Sequence, residues 1–167
     1  MGYGVKPMRS AFRPLGAILT MVAVLVGSGA ATPALAEDGI AVRDAWARAP
    51  AVPGRNGAAF LTIVNRTAGE IRLVGAQSPA CARVELHESV MADGVMKMVP
   101  QAAIPVPAGG TTVLEPGGLH LMLMQAKPAV KPGGTITLTL AFADAGRQTV
   151  RARVVAPGRR PDMPGAE

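Results

Sequence analysis

From residue 40 onward the apolar positions fall in short runs rich in Val, Ile, Leu and Thr. Gly and Pro interrupt them about every ten residues. No long stretch places apolar residues at i, i+3, i+4 and i+7, so the pattern predicts strands and not helices. Strands are expected over 40–47, 58–65, 70–76, 82–90, 95–99, 111–114, 119–124, 135–143 and 149–155. In the first, Ile40, Val42 and Trp46 share one alternation. Asp93-Gly94 before the fifth is a two-residue hairpin signal. The Pro-rich 104–110 stretch is expected to be an irregular edge. Pro79, Pro105, Pro107 and Pro116 all fall between expected strands, where a missing amide does least harm to a ladder. About nine short strands with turn residues between them predict an all-β sandwich or barrel.

The ends read differently. Residues 1–36 carry Lys6, Arg9 and Arg13 and no acid, then an apolar run from Leu15 to Val26, then Ala34-Leu35-Ala36. Basic head, apolar core and A-x-A end predict a secretory signal peptide cleaved after Ala36, leaving no stable membrane insertion. One domain is expected over 37–157, and 158–167, which lacks an apolar pattern, is expected to be a flexible tail. The leader also shifts the charge balance. Seventeen basic residues less its three leave fourteen against eleven acids, a formal +3 for 37–167. The remaining Arg residues are scattered, which gives no phosphate-binding stripe and predicts no nucleic-acid partner. A single cysteine, Cys81, excludes an intramolecular disulfide, so the core must hold the fold. Cys81 beside Pro79-Ala80 is expected to be a buried small hydrophobe.

The chemistry concentrates between 87 and 124. Both histidines of the chain, His87 and His120, lie there with five of its nine methionines: Met91, Met96, Met98, Met122 and Met124. In Leu119-His120-Leu121-Met122-Leu123-Met124, period-2 alternation puts His120, Met122 and Met124 on one face and the three Leu on the other, toward the core. Met96 and Met98 share a face of their strand, and His87 points with Glu85 while Val84 and Leu86 point inward. Three strands can therefore present imidazole and thioether on one surface site above an aliphatic core. Such neutral, soft donors suit Cu(I) over Cu(II), Mg or Ca. Alternation does not separate Met98 from Met96, or Met122 from Met124.

The segments Val84-Glu85-Leu86-His87-Glu88, Asp93-Gly94-Val95-Met96-Lys97-Met98 and Pro116-Gly117-Gly118-Leu119-His120-Leu121-Met122-Leu123-Met124 resemble the periplasmic copper chaperone family called PCu(A)C. The family signature is a His, ten residues, a Met, twenty-one residues, then His-x-Met, and this chain meets that spacing without a gap. The resemblance extends from the Trp46 strand to the 135–142 strand. It implies a cupredoxin-like Greek-key β-sandwich with His87, Met98, His120 and Met122 as Cu(I) ligands. Met96, Met124 and Met91 are left as an auxiliary thioether rim. It also implies delivery to the copper-accepting subunit of a haem-copper oxidase, chiefly its Cu(A) site, alongside a thiol-containing copper chaperone. Ser89 stands where many members carry a further Met, and the tail has only Met163, so no second copper site is carried over.

A blue-copper redox centre needs a Cys thiolate with two His, and Cys81 lies six positions before His87. No Ser-His-Asp order or phosphate-binding Gly loop appears, which predicts a carrier and not an enzyme. The expectation is a monomeric periplasmic Cu(I) chaperone. The competing expectations are a copper buffer or resistance protein, and a structural β-sandwich with an incidental Met/His cluster.

Overall fold

The computed structural model describes residues 39–143 and 145–161. The leader expected over 1–36 and the tail beyond Pro161 lie outside the described residues. Ten strands follow in chain order: β1 Ile40–Arg48, β2 Gly57–Asn65, β3 Ile71–Gln77, β4 Arg83–Ala92, β5 Val95–Pro100, β6 Ile104–Val106, β7 Thr111–Leu114, β8 Leu119–Met124, β9 Thr135–Phe142 and β10 Gly146–Val155. Among the described residues no helix is long and apolar enough to cross a membrane.

The strands form one open sheet path, β5-β4-β8-β2-β1-β10-β9-β3-β6, with β7 paired to β2. All pairings are antiparallel except β1 with β10. The path curls over, because its two halves share one core. Ala59, Leu61 and Ile63 of β2 and Leu121 and Leu123 of β8 join Leu73 of β3 and Leu138 and Leu140 of β9 in a single buried cluster. Burying side chains of this size stabilises the fold by about 1.5–3 kcal/mol each. Cys81 is part of that cluster and free, as expected of a small hydrophobe.

Two departures from the sequence pattern have local causes. The 104–110 stretch is not irregular throughout. Ile104 and Val106 are fully buried and form β6 on the edge of β3, while Pro105 points outward, where its missing N–H is harmless. That makes ten strands where about nine were expected. Asn65, wholly buried, anchors this edge. Its Nδ2 donates to the carbonyls of Gly69, Val106 and Pro107, and its Oδ1 accepts from the Thr67 amide and hydroxyl. Every polar atom of the side chain is thus satisfied, which burial requires.

The second departure matters for the site. Trp46 does not share a face with Ile40 and Val42. The β1–β2 register shifts between Arg43 and Trp46, a bulge with Asp44 in the left-handed region at φ 53°. One extra residue inverts every later side chain. Val42 stands opposite the core residue Ile63, whereas Trp46 stands opposite Phe60 on the other face of the sheet. At the start of β2, Gly57 admits a close approach: a Cβ there would sit 2.9 Å from the Arg48 carbonyl oxygen.

Candidate metal centre

The register places the Met and His residues of β4, β5 and β8 on one face. Directly opposite residues in an antiparallel pair point the same way. His87 is opposite His120, Glu85 opposite Met122, and Arg83 opposite Met124. On the other side of β4, Ser89 is opposite Met98 and Met91 opposite Met96. Beyond β8, Ala58 stands opposite Met122, and Trp46, Arg48 and Phe60 continue the same face. The far faces of β8 and β4 carry Leu121, Leu123 and Leu86 into the core.

His120 was expected at a surface; it is buried, with 3% of its area exposed. An aromatic cover explains this. Phe60 lies 6.4 Å from the His120 ring, centroid to centroid, and Trp46 stacks 4.3 Å from Phe60. The Arg48 guanidinium sits 5.5 Å from the Phe60 centroid and 5.7 Å from that of Trp46, a cation–π arrangement. The bulge in β1 brings Trp46 and Arg48 here, and a strict alternation does not reveal it.

The two imidazoles are 5.9 Å apart by centroid. Each uses one ring nitrogen in a hydrogen bond and leaves the other unpaired. His120 Nδ1–H donates to the Gly118 carbonyl at 3.0 Å, and its buried Nε2 has no partner. His87 Nε2–H donates to Glu85 Oε2 at 3.0 Å, and its buried Nδ1 has none. A carbonyl and a carboxylate accept only, so these bonds set both tautomers. The free nitrogens are lone-pair donors, Nδ1 on one ring and Nε2 on the other. Burial is the main reason the His120 pKa is lowered, against the Gly118 carbonyl, which raises it; the nearby His87 lowers it further. Glu85 is also held by Arg83, and hydrogen bonds from Arg83 and then His87 lower its pKa.

Met98, His120 and Met122 line one cavity of about 340 Å³ with Arg48, Gly57 and Ala58. His87 adjoins it through the His120 ring. Met124, opposite Arg83, and Met91 and Met96, at the tip of the β4–β5 hairpin, do not line it. Of the two pairs that alternation left open, Met98 and Met122 line this cavity, and Met96 and Met124 do not. Among the described residues no group of three or more His, Cys, Asp or Glu could hold a metal ion, so the soft cluster has no oxygen- or thiolate-rich rival. Burial raises the Cys81 thiol above its ordinary pKa, partly offset by Lys127.

The family model described as "Putative lipoprotein LpqE-like" matches residues 40–154, all but the last residue of the strand-bearing region. The chain belongs to the LpqE-like family. A relative named "Putative lipoprotein", from Leifsonia xyli subsp. xyli (strain CTCB07), is 38% identical over 81% of this chain and 81% of its own length. Among solved structures, the copper-bound PCuAC domain from PmoF2 is 28% identical, with a TM-score of 0.60 over 71% of this chain and 93% of that domain. The apo form of DR1885 from Deinococcus radiodurans is 27% identical, with a TM-score of 0.50 over 95% of this chain and 98% of its own. This LpqE-like chain thus has the cupredoxin-like β fold of the PCuAC domains.

Proposed function

We propose that the chain is a carrier of Cu(I), held as cargo by His87 Nδ1, His120 Nε2 and the sulfurs of Met98 and Met122. The observation that carries this reading is the pair of buried, unpartnered imidazole nitrogens on directly opposed residues, beside two thioethers. An orphaned buried hydrogen-bond acceptor costs about 1–3 kcal/mol, and a fold that keeps two side by side has a use for them. The copper bound by the related PmoF2 domain supports the same reading.

The donor set shapes the chemistry. Two thioethers and two neutral imidazoles favour the soft monovalent ion and add no negative charge to retain it. Glu85 and the Gly118 carbonyl hold the rings in their ligating tautomers, while Trp46 and Phe60 exclude water from the His120 side. Met98, 55% exposed, is the outermost ligand and the first that an acceptor displaces. Copper then passes by ligand exchange, shared between two sets before release. The leader exports the chain to the periplasm, where a site without thiolate avoids disulfide chemistry. The acceptor is the copper-accepting subunit of a haem-copper oxidase during Cu(A) assembly, with a thiol-containing chaperone as a further partner. The carrier acts as a monomer and catalyses no reaction.

Titration with Cu(I) against a competing chelator should show one tightly held equivalent, lost in His120→Ala and Met122→Ala. Mixing the loaded protein with an apo Cu(A) domain should move the metal. Retention by the carrier would assign a buffer instead, and a failure to bind one equivalent would leave only a structural β-sandwich.

A further inference from the structure

The β4–β5 hairpin extends past the site, and its exposed thioethers are not used there. All six residues of β5 are exposed, and β5 pairs with β4 alone at the end of the sheet path. The turn is a two-residue Asp93-Gly94 reversal with both residues at positive φ, 53° and 75°, which fixes the register of the hairpin. Met91 and Met96 are a directly opposed pair one step in from that turn, behind Ala92 and Val95, and are 67% and 57% exposed. Core packing therefore accounts for neither. Unsupported methionine on a protruding strand loses hydrophobic stabilisation and adds aggregation risk.

Register then orders the face from tip to base: Met91 with Met96, Ser89 with Met98, His87 with Pro100. Successive pairs lie about 6.8 Å apart along the strands, and diagonal neighbours about 7–8 Å, within reach of long flexible side chains. None of these six residues carries a positive charge. Lys97 alternates with Met96 and Met98, so it points to the other face, where it reaches Asp93 at 4.0 Å. A soft cation on this face thus meets thioether at the tip and thioether again one step inward, with no basic side chain between.

We propose that Met91 and Met96 form a second, weaker Cu(I) station, which takes up the ion at the hairpin tip and hands it to Met98. Two sulfurs facing each other can share one ion, and the absence of imidazole keeps the station weak. The ion is only relocated: each step forms a Cu–S bond to the next sulfur as one to the previous sulfur breaks, without electron transfer. The hand-over rests on the His87 site being a Cu(I) site; binding at the tip does not.

Methionine methyl NMR of the full chain, with Cu(I) added anaerobically, tests both parts. The first equivalent should shift the Met98 and Met122 methyls, and excess Cu(I) should shift Met91 and Met96. The double variant Met91→Leu/Met96→Leu keeps the size and exposure of the pair and leaves the buried core untouched. It should hold the first equivalent as tightly as the native chain but capture it from a Cu(I) chelate about tenfold more slowly, because the local concentration of ion at the tip is lost. Unshifted Met91 and Met96 methyls in excess Cu(I), or capture at the native rate by the double variant, would overturn the proposal. Unshifted Met98 and Met122 methyls beside shifted Met91 and Met96 would instead sink the inner site and the hand-over, and leave the tip as an isolated binding site.

Discussion

Replacing His120 with Leu should make the copper-free protein more stable and abolish its stabilisation by Cu(I). The native ring is buried with Nε2 unpaired, and removing such an orphan recovers about 2 kcal/mol. The substitution also removes the Nδ1–H bond to the Gly118 carbonyl, worth about 1 kcal/mol. That carbonyl is not orphaned in turn, because it still accepts from the Ser89 amide at 3.1 Å. Loss of the ring contacts with Phe60 and His87 takes away about 0.5 kcal/mol. Burying Leu in place of the more polar imidazole returns about 0.5–1 kcal/mol. The net is about 1 kcal/mol in favour of His120→Leu, or a melting temperature higher by about 3–6 °C for a domain of this size. Copper inverts the order. At a free Cu(I) level of about 100 times Kd the native protein gains about 2.7 kcal/mol, and the variant gains little. Urea and thermal unfolding, with and without Cu(I), read both effects. An apo variant less stable than the native chain by more than about 1 kcal/mol would refute the reasoning about the orphan nitrogen. Equal stabilisation of both proteins by Cu(I) would refute the role of His120.

Glu85→Ala leaves the ligands in place but frees the His87 ring; Cu(I) affinity should fall by about 10–100-fold in a chelator competition, and an unchanged affinity would show that Glu85 does not orient the ring. Asn65→Ala breaks five hydrogen bonds at the β6 edge and should destabilise the protein by about 3 kcal/mol in urea unfolding, leaving Cu(I) affinity intact. The pH dependence follows from His120. Its folded pKa lies below the unfolded one, so between the two the unfolded chain binds more protons. Its contribution to apo stability is fully present above about pH 6.5 and is lost as pH falls through the lowered folded value. That component should vanish in His120→Leu, so the same slope in both proteins would place the titration elsewhere.

Much of the fold was legible because most strands have one face in the core. Leu119, Leu121 and Leu123 marked the inner face of β8, and so placed His120, Met122 and Met124 together on the other. Asp93-Gly94 announced its hairpin because few other residue pairs accept two positive φ values. What stayed hidden depended on contacts distant in sequence. The Asp44 bulge inverts Trp46 and Arg48, and nothing in the local alternation signals an added residue. With the inversion unseen, the aromatic cover was missed, and His120 was placed at a surface. The strand at Ile104–Val106 was obscured by Pro105, which is tolerated because its edge position leaves no amide bond to lose. Glu85 as the partner of His87 was half visible, since the two share a face two residues apart, but the tautomer it sets appears only in the hydrogen bond itself.

X-ray absorption at the copper edge of the Cu(I)-loaded protein counts the nitrogen and sulfur donors at the metal. One copper should be bound by two nitrogen and two sulfur donors, with one nitrogen contribution lost in His120→Leu and one sulfur lost in Met122→Leu. A site of sulfur donors alone, or one whose donor count is unchanged in both variants, would contradict this ligand set.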